Sequence, residues 1–175
     1  MNTQIESNQS VTKDAFRNGM ALLAGAVTVL TTNGPEGLAG ITASAVCSVT
    51  DSPPTVLVCI NRSSFAHRFF YENKVLCINV LGAHQRDLSA MFSNRNITMT
   101  DRFSQCQVNP LVTGAPALEQ ALVNLDGRIV ATHEVGTHSV FYVEIDDVRM
   151  TGEPVDRAGL AYFDRQYHYL EHRQG

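Results

Sequence analysis

A chain of 175 residues, 44% apolar and 17% charged, has the length of one domain and enough apolar side chains to build a core, which excludes a disordered polypeptide. The net charge of −4 and the absence of any Lys/Arg block exclude nucleic-acid binding through a basic face. Apolar runs break at Thr, Ser, Asn or Gly well before the roughly 20 residues of a membrane span.

Residues 1–10 (MNTQIESNQS) lack the basic start and apolar run of a secretory signal, so a polar, flexible tail and a cytoplasmic protein are expected. Residues 11–175 then read as a single domain. From Thr12 to Leu23, Ala15, Phe16, Met20 and Leu23 follow helical spacing, and Thr12 and Asp14 suit a helix start. The period then shortens. Val27–Thr32 reads as a β-branched strand, ended by the turn Asn33-Gly34-Pro35-Glu36-Gly37. Leu38–Thr50 and Thr55–Asn61 are the next strands, separated by Asp51-Ser52-Pro53-Pro54. Ser64 suits the N-cap of a helix reaching Glu72.

Lys74–Leu81 reads as a buried strand and His84–Phe92 as a short helix, while residues 93–117, with Pro110, Gly114 and Pro116, read as loop. Two long strands are expected at Ala121–His133 and His138–Met150. A last strand, Leu160–Tyr162, leads into an aromatic tail, Phe163–Tyr169. About six strands and few helices in one small domain point to a mainly β protein, a closed barrel, because closure removes sheet edges.

Four cysteines (Cys47, Cys59, Cys77, Cys106) form no C-x-x-C pair and are expected as core thiols. Neither G-x-G-x-x-G, G-x-x-x-x-G-K-[ST] nor G-x-S-x-G occurs, so any use of a dinucleotide rests on another fold. Between Gly40 and Phe65 the strands are rich in small hydroxyl residues: Thr42, Ser44, Ser48, Asn61, Ser63 and Ser64. Gly40 and Ala43 leave room for a flat ligand, and Thr42 and Ser44 hydroxyls suit a ring amide. In Cys59-Ile60-Asn61-Arg62-Ser63-Ser64, a helix start with two serines and an arginine suits a phosphate. His138, after the turn at Gly136, opens a strand where its ring can face a barrel mouth or serve as a structural hydrogen-bonder. His133 and His138 flank that turn, but no third ligand supports a metal site. In the tail, the aromatics suit either a core or the stacking of a flat ring, with Arg165 near a phosphate or amide.

These segments resemble the short-chain flavin reductases, the small partners of two-component monooxygenases. The resemblance runs from about Phe16 to Tyr169 and is sharpest in FRNGMALLAGAVTVLTT, GITASAVCSVTDSPPTVLVCIN, LCINVL, GTHSVFYVEI and GLAYFDRQYH. Within the family it is similar at once to the reductases of pyrimidine utilisation, of 4-hydroxyphenylacetate 3-monooxygenase and of chlorophenol monooxygenases. The resemblance implies a homodimeric FMN-binding split barrel that passes hydride from NADH to FMN or FAD and hands diffusible reduced flavin to a monooxygenase. By position it implies that Thr42, Ala43 and Ser44 line the isoalloxazine, and that Asn61, Ser63 and Ser64 hold ribityl or phosphate oxygens. Phe92 and Ser93 reach the phosphate or adenine end. His138 falls on the family's Gly-x-His element. Arg165-Gln166-Tyr167 departs from the family's Gly-Arg-Tyr, which leaves the role of Tyr167 open. The rival reading is a flavin- or haem-binding split barrel without NADH turnover, in which His138 and the tail are idle.

Overall fold

The computed structural model describes residues 11–151 and 158–171, so the tail expected at residues 1–10 lies outside them. Helix α1 (Lys13–Ala21) starts where Thr12 Oγ1 accepts from the Ala15 amide at 3.2 Å, with Asp14 in its first turn. Its apolar stripe has no cover among the described residues. Phe16 is 61% and Leu23 65% exposed.

Strands β1 (Gly25–Ala26), β2 (Thr28–Thr32) and β3 (Ala39–Ala43) follow, then β4 (Val46–Asp51) and β5 (Pro54–Asn61). The expected strand Leu38–Thr50 is therefore two strands. β3 pairs with β2, whereas β4 pairs with β5, so the backbone changes partner at Ser44–Ala45 and bends there. Helix α2 (His67–Asn73) begins after Ala66, not at Ser64, because residues 62–66 turn first. The Ser64 amide donates to the Asn61 carbonyl at 2.9 Å, and the Ser64 carbonyl accepts from His67.

β6 (Val75–Val80) and α3 (Arg86–Ser93) lie where expected, with one short 3₁₀ turn between them. The segment read as loop contains α4 (Met99–Ser104), capped by Thr98, whose Oγ1 accepts from the Asp101 amide. β7 (Val123–Val135) and β8 (His138–Met150) form a long hairpin. The aromatic tail is itself a strand. β9 (Gly159–Phe163) and β10 (Gln166–Leu170) pair through a two-residue turn, Asp164-Arg165, with positive φ at both residues.

The fold is mainly β and barrel-like, but split. Seven antiparallel strands run in the order β3-β2-β6-β7-β8-β5-β4, and β1-β9-β10 form a separate three-stranded sheet. The closed barrel of the sequence reading is corrected: β3 and β4, at the two ends of the large sheet, share no ladder. Helix α3 packs against β3 through the Thr42–Ser89 bond, whereas β4 stays exposed along almost its whole length.

β2 separates two cores. Successive side chains on a strand point to opposite faces, so Leu30 enters a core with Val58, Phe70, Ile78 and Phe141, while Val29 enters another with Leu81, Phe92 and Leu160. Its three threonines are buried, and each hydroxyl donates to a carbonyl: Thr28 to Ala43 (2.7 Å), Thr32 to Val75 (2.7 Å) and Thr31 to Pro116. Fully buried Asn79 extends the network. Its Nδ2 donates to Val29 O at 2.9 Å, and its Oδ1 accepts from the Leu118 amide (2.8 Å) and Asn124 Nδ2 (2.7 Å). Asn79→Ala strips a partner from the buried Leu118 amide, from Asn124 Nδ2 and from the Val29 carbonyl. The expected loss is about 2–4 kcal/mol, a fall of roughly 5–15 °C in the thermal midpoint; an unchanged midpoint in a thermal melt contradicts this account of the network.

Candidate functional site

Two clefts meet at the end of β3. One of about 960 Å³ lies toward β5 and α4, one of about 670 Å³ toward β9 and β10, and they share Thr42, Ala43, Ser44 and Ser93. The bend at Ser44–Ala45 makes this junction. Among the described residues, the backbone N–H groups of Ser44 and Ala45 donate to no acceptor, and both residues are exposed. A strand end with two open amides and only small side chains lets a flat, hydrogen-bonding ring approach the backbone.

Most residues singled out in the sequence line these clefts. Thr42, Ala43, Ser44 and Ser93 line both; Cys59, Ile60, Asn61, Ser63, Ser64 and Phe92 line the larger; Arg165 and Tyr167 line the smaller. Ser48 and His138 do not. Ser48 is exposed on β4, opposite Val56 and further down the hairpin. His138 stands outside the cleft lining, paired with Asn61 across the β5–β8 ladder, and its Nδ1 lies 2.9 Å from Thr137 Oγ1.

Several donors expected to be free are already spent. Thr42 Oγ1 donates to the Ser89 carbonyl at 2.6 Å, so the hydroxyl has only acceptor capacity left for a ligand. Asn61 Oδ1 accepts from both the amide (2.9 Å) and the hydroxyl (2.8 Å) of Ser63, which holds the turn and leaves the Asn61 amide group as a donor. Ser93 Oγ donates to Ala90 O at 2.8 Å. Arg62 is turned away from the cleft. It pairs with Glu134 at 3.0 Å and donates to Gly136 O, and Glu134 also accepts from Ser139 Oγ at 2.7 Å. His67 Nε2 lies 2.7 Å from the same hydroxyl, and because that proton is given to Glu134, His67 donates. Burial pushes the His67 imidazole down, against the pull of Glu134. This chain of contacts pins residues 61–67 to the tip of the β7–β8 hairpin.

The smaller cleft is aromatic and basic. Tyr162 and Tyr167 meet edge to face at 5.4 Å, Arg86 stands 5.6 Å over the Tyr167 ring, and Tyr167 Oη lies 2.9 Å from Ser89 Oγ. Arg165 donates to Asn18 Oδ1 at 2.6 Å and so ties the β9–β10 turn to α1. Among the described residues no carboxylate lines either cleft, whereas four arginines do: Arg86 and Arg165 in one, Arg95 and Arg102 in the other. In a chain of net charge −4 that concentration favours an anionic ligand.

The cysteine reading needs one correction. Cys77 is buried, but Cys47 is exposed, because β4 is an edge strand and turns that side chain outward. Cys59 lines the larger cleft, and burial raises its thiol, so it is protonated at neutral pH and poorly nucleophilic. Among the described residues, no group of three or more His, Cys, Asp or Glu side chains is placed to hold a metal, and no helix is long and apolar enough to cross a membrane.

Arg86, Ser89, Arg95 and Arg102 are cleft residues that the sequence reading missed. Thr98-x-x-Asp101, a helix-start pattern, was the available signal for α4 and with it Arg102.

Comparison with known proteins agrees with this geometry. Residues 20–171 match the family model described as "Flavin reductase like domain". FMN reductase (NADH) RutF of Pantoea ananatis is 46% identical over 165 residues, covering 94% of this chain and 85% of that protein. The flavin reductase of styrene monooxygenase from Pseudomonas putida superposes with a TM-score of 0.77 at 26% identity, over 91% of this chain and 99% of that one. BorF, the flavin reductase component of a bacterial two-component tryptophan halogenase, gives 0.84 at 25% identity, over 93% and 100%.

Gly40 marks the tightest point of the cleft wall. A Cβ there would stand 2.6 Å from Phe92 Cε1 and 3.2 Å from Phe103 Cζ, two rings already packed edge to face at 5.3 Å. Gly40→Ala is therefore expected to displace Phe92 and to cost about 1–3 kcal/mol in thermal unfolding. An alanine variant as stable as the wild type contradicts the close approach.

Proposed function

This chain belongs to the family of the flavin reductase like domain, and from that membership we propose that it oxidises NADH and passes the hydride to FMN or FAD. On this reading the flavin leaves reduced and is consumed by a partner monooxygenase or a similar flavin-dependent oxygenase. The observation that carries the proposal is the bend at Ser44–Ala45, with its two open amides at the junction of two clefts. The combined space suits two stacked ring systems, and ligand sites of this kind run to about 300–1,000 Å³ each.

A bound flavin supplies the hydride acceptor and so relieves the protein of any nucleophile. What the chain supplies is position and charge. The amides of Ser44 and Ala45 meet the negative charge that grows on the ring's pyrimidine edge. Ala43 gives room, while Cys59 and Ile60 form an apolar wall. The Asn61 amide, with the hydroxyls of Ser63 and Ser64, serves the polar chain, and Thr42 acts as an acceptor or through its hold on α3. Phe92 and Ser93 close the far wall. Tyr167 and Arg165, with Arg86, belong to the cleft open to the nicotinamide nucleotide. Holding two rings together makes the encounter effectively intramolecular, which contributes about 7–11 kcal/mol in favourable cases. Ser48 has no part in this arrangement.

His138 acts at the rim. It lies beside Asn61 but outside the cleft lining, which suits orientation of NADH and not retention of flavin. We also infer a homodimer. Phe16, Met20 and Leu23 leave an apolar face on α1, and α1 is tied to the cleft by the Arg165–Asn18 bond. Light scattering at twice the chain mass tests it; a monomer at micromolar concentration refutes it. The four free thiols fit a reducing cytoplasm.

The assay is NADH oxidation in air with FMN, FAD or no flavin added. Oxidation that requires flavin and saturates with it is expected; no oxidation with either flavin sinks the proposal and favours a binding protein without turnover. For His138→Ala the expected result is a KM for NADH raised several-fold with the flavin dissociation constant unchanged. Unaltered NADH kinetics remove His138 from the mechanism.

A further inference from the structure

Arg102 is only 5% exposed and borders the larger cleft. Its guanidinium donates to four backbone carbonyls: Nη1 to Gly40 (3.1 Å) and Phe92 (2.9 Å), Nη2 to Asn94 (2.6 Å), and Nε to Ile97 (3.1 Å). These acceptors are neutral. Among the described residues no carboxylate lies within ion-pairing distance of Arg102, and the adjacent Asp101 accepts from the Thr98 hydroxyl at 2.7 Å instead. Burial pulls the proton affinity of the guanidinium down, yet an arginine stays charged in any protein setting. A buried charge without a counter-charge is costly, and structures normally pair it. Here the carbonyls saturate four of five N–H groups and leave the net charge open toward the cleft. That cost is retained next to a pocket whose described lining holds no acid.

We propose that Arg102 is the residue that makes this cleft select a phosphorylated flavin over one without phosphate. The inference rests on the flavin reductase reading and deepens it. Arg102 works in two linked ways. Its carbonyl bonds fasten β3, the C-terminal end of α3 and residues 94–97 together, and so set the Phe92–Ser93 wall. Its charge lies beneath that wall, where a phosphoryl group on the ribityl chain completes the missing pair at short range and in a poorly hydrated setting. Exposed Arg95, on the same wall, is free to move and to be screened by salt, so it discriminates less.

The test compares FMN with riboflavin, which carries the same ring and ribityl chain without the phosphate. Dissociation constants from flavin fluorescence are measured for the wild type, Arg102→Met, Arg102→Lys and Arg95→Met, each checked by its thermal melt. The wild type is expected to bind FMN on the order of ten-fold more tightly than riboflavin. Arg102→Met brings the two constants within about three-fold, while Arg102→Lys keeps most of the preference because it keeps the charge. Equal wild-type affinities overturn the proposal, as does an Arg102→Met variant that weakens both flavins by the same factor, which is the result of a purely structural role.

If Arg102→Met does not fold, Arg95→Met decides: a preserved FMN preference supports Arg102, and a collapsed one transfers the role to Arg95. A phosphate of the nicotinamide nucleotide is the competing anion, so KM for NADH is also measured with riboflavin as acceptor. A rise confined to that constant overturns the assignment to flavin. Failure to bind or reduce either flavin is a separate result and refutes the reductase reading itself.

Discussion

Val29 and Leu30 leave β2 on opposite sides, and each enters a different core. A strand packed on both faces has no water on which to spend its polar groups, so Thr28, Thr31 and Thr32 donate inward to carbonyls and Asn79 ties the loop at Leu118 and strand β7 to the network. The same packing places β3, the neighbour of β2, between two cores and at the end of the large sheet. At Ala43 the chain leaves β2 for a new partner, and the bend at Ser44–Ala45 opens backbone toward both clefts. The site is thus a consequence of how β2 is buried.

Charge follows the same geometry. Among the described residues the clefts collect four arginines and no carboxylates, while Glu134, Asp126 and Asp146 are engaged elsewhere: with Arg62, with Thr113 and with Arg128. Asp126 is fully buried, and its carboxyl is pushed up chiefly by that burial, with the Thr113 hydroxyl and amide opposing the shift. An acidic chain can in this way present a basic cavity to dinucleotides and phosphorylated flavins. The hairpin tip at Gly136 contributes by holding Arg62 and Glu134, which fix the Asn61–Ser64 turn from behind. Arg62 therefore supports the turn from outside the cleft, although its place in the sequence suggested a phosphate ligand.

The sequence made the strands legible wherever burial shaped their composition. Val75–Val80 and the two long strands before and after Gly136 came through because their apolar content is dense, and Thr12 announced α1 through its cap. Three features did not come through. The split of Leu38–Thr50 is a change of pairing partner, which leaves no mark on residue type. The β9–β10 hairpin turns on Asp164-Arg165, where φ is positive without glycine or asparagine, so the usual turn signal is missing. Barrel closure was inferred from strand number, while the structure leaves β3 and β4 unpaired with each other and places three strands in a second small sheet. At the candidate site, hydroxyl-rich segments pointed to the place where the two clefts meet. Which hydroxyls are free was a matter of tertiary contacts, as the Thr42–Ser89 bond shows.

Amide hydrogen exchange with and without FMN tests the central claim, that the flavin lies over the bend at the end of β3. Ser44 and Ala45 have exposed amides with no acceptor among the described residues, so they exchange fast in the free protein. The account predicts that FMN slows exchange in peptides covering residues 41–46, together with those covering 61–66 and 92–97. Protection elsewhere, with residues 41–46 exchanging as fast as before, contradicts it.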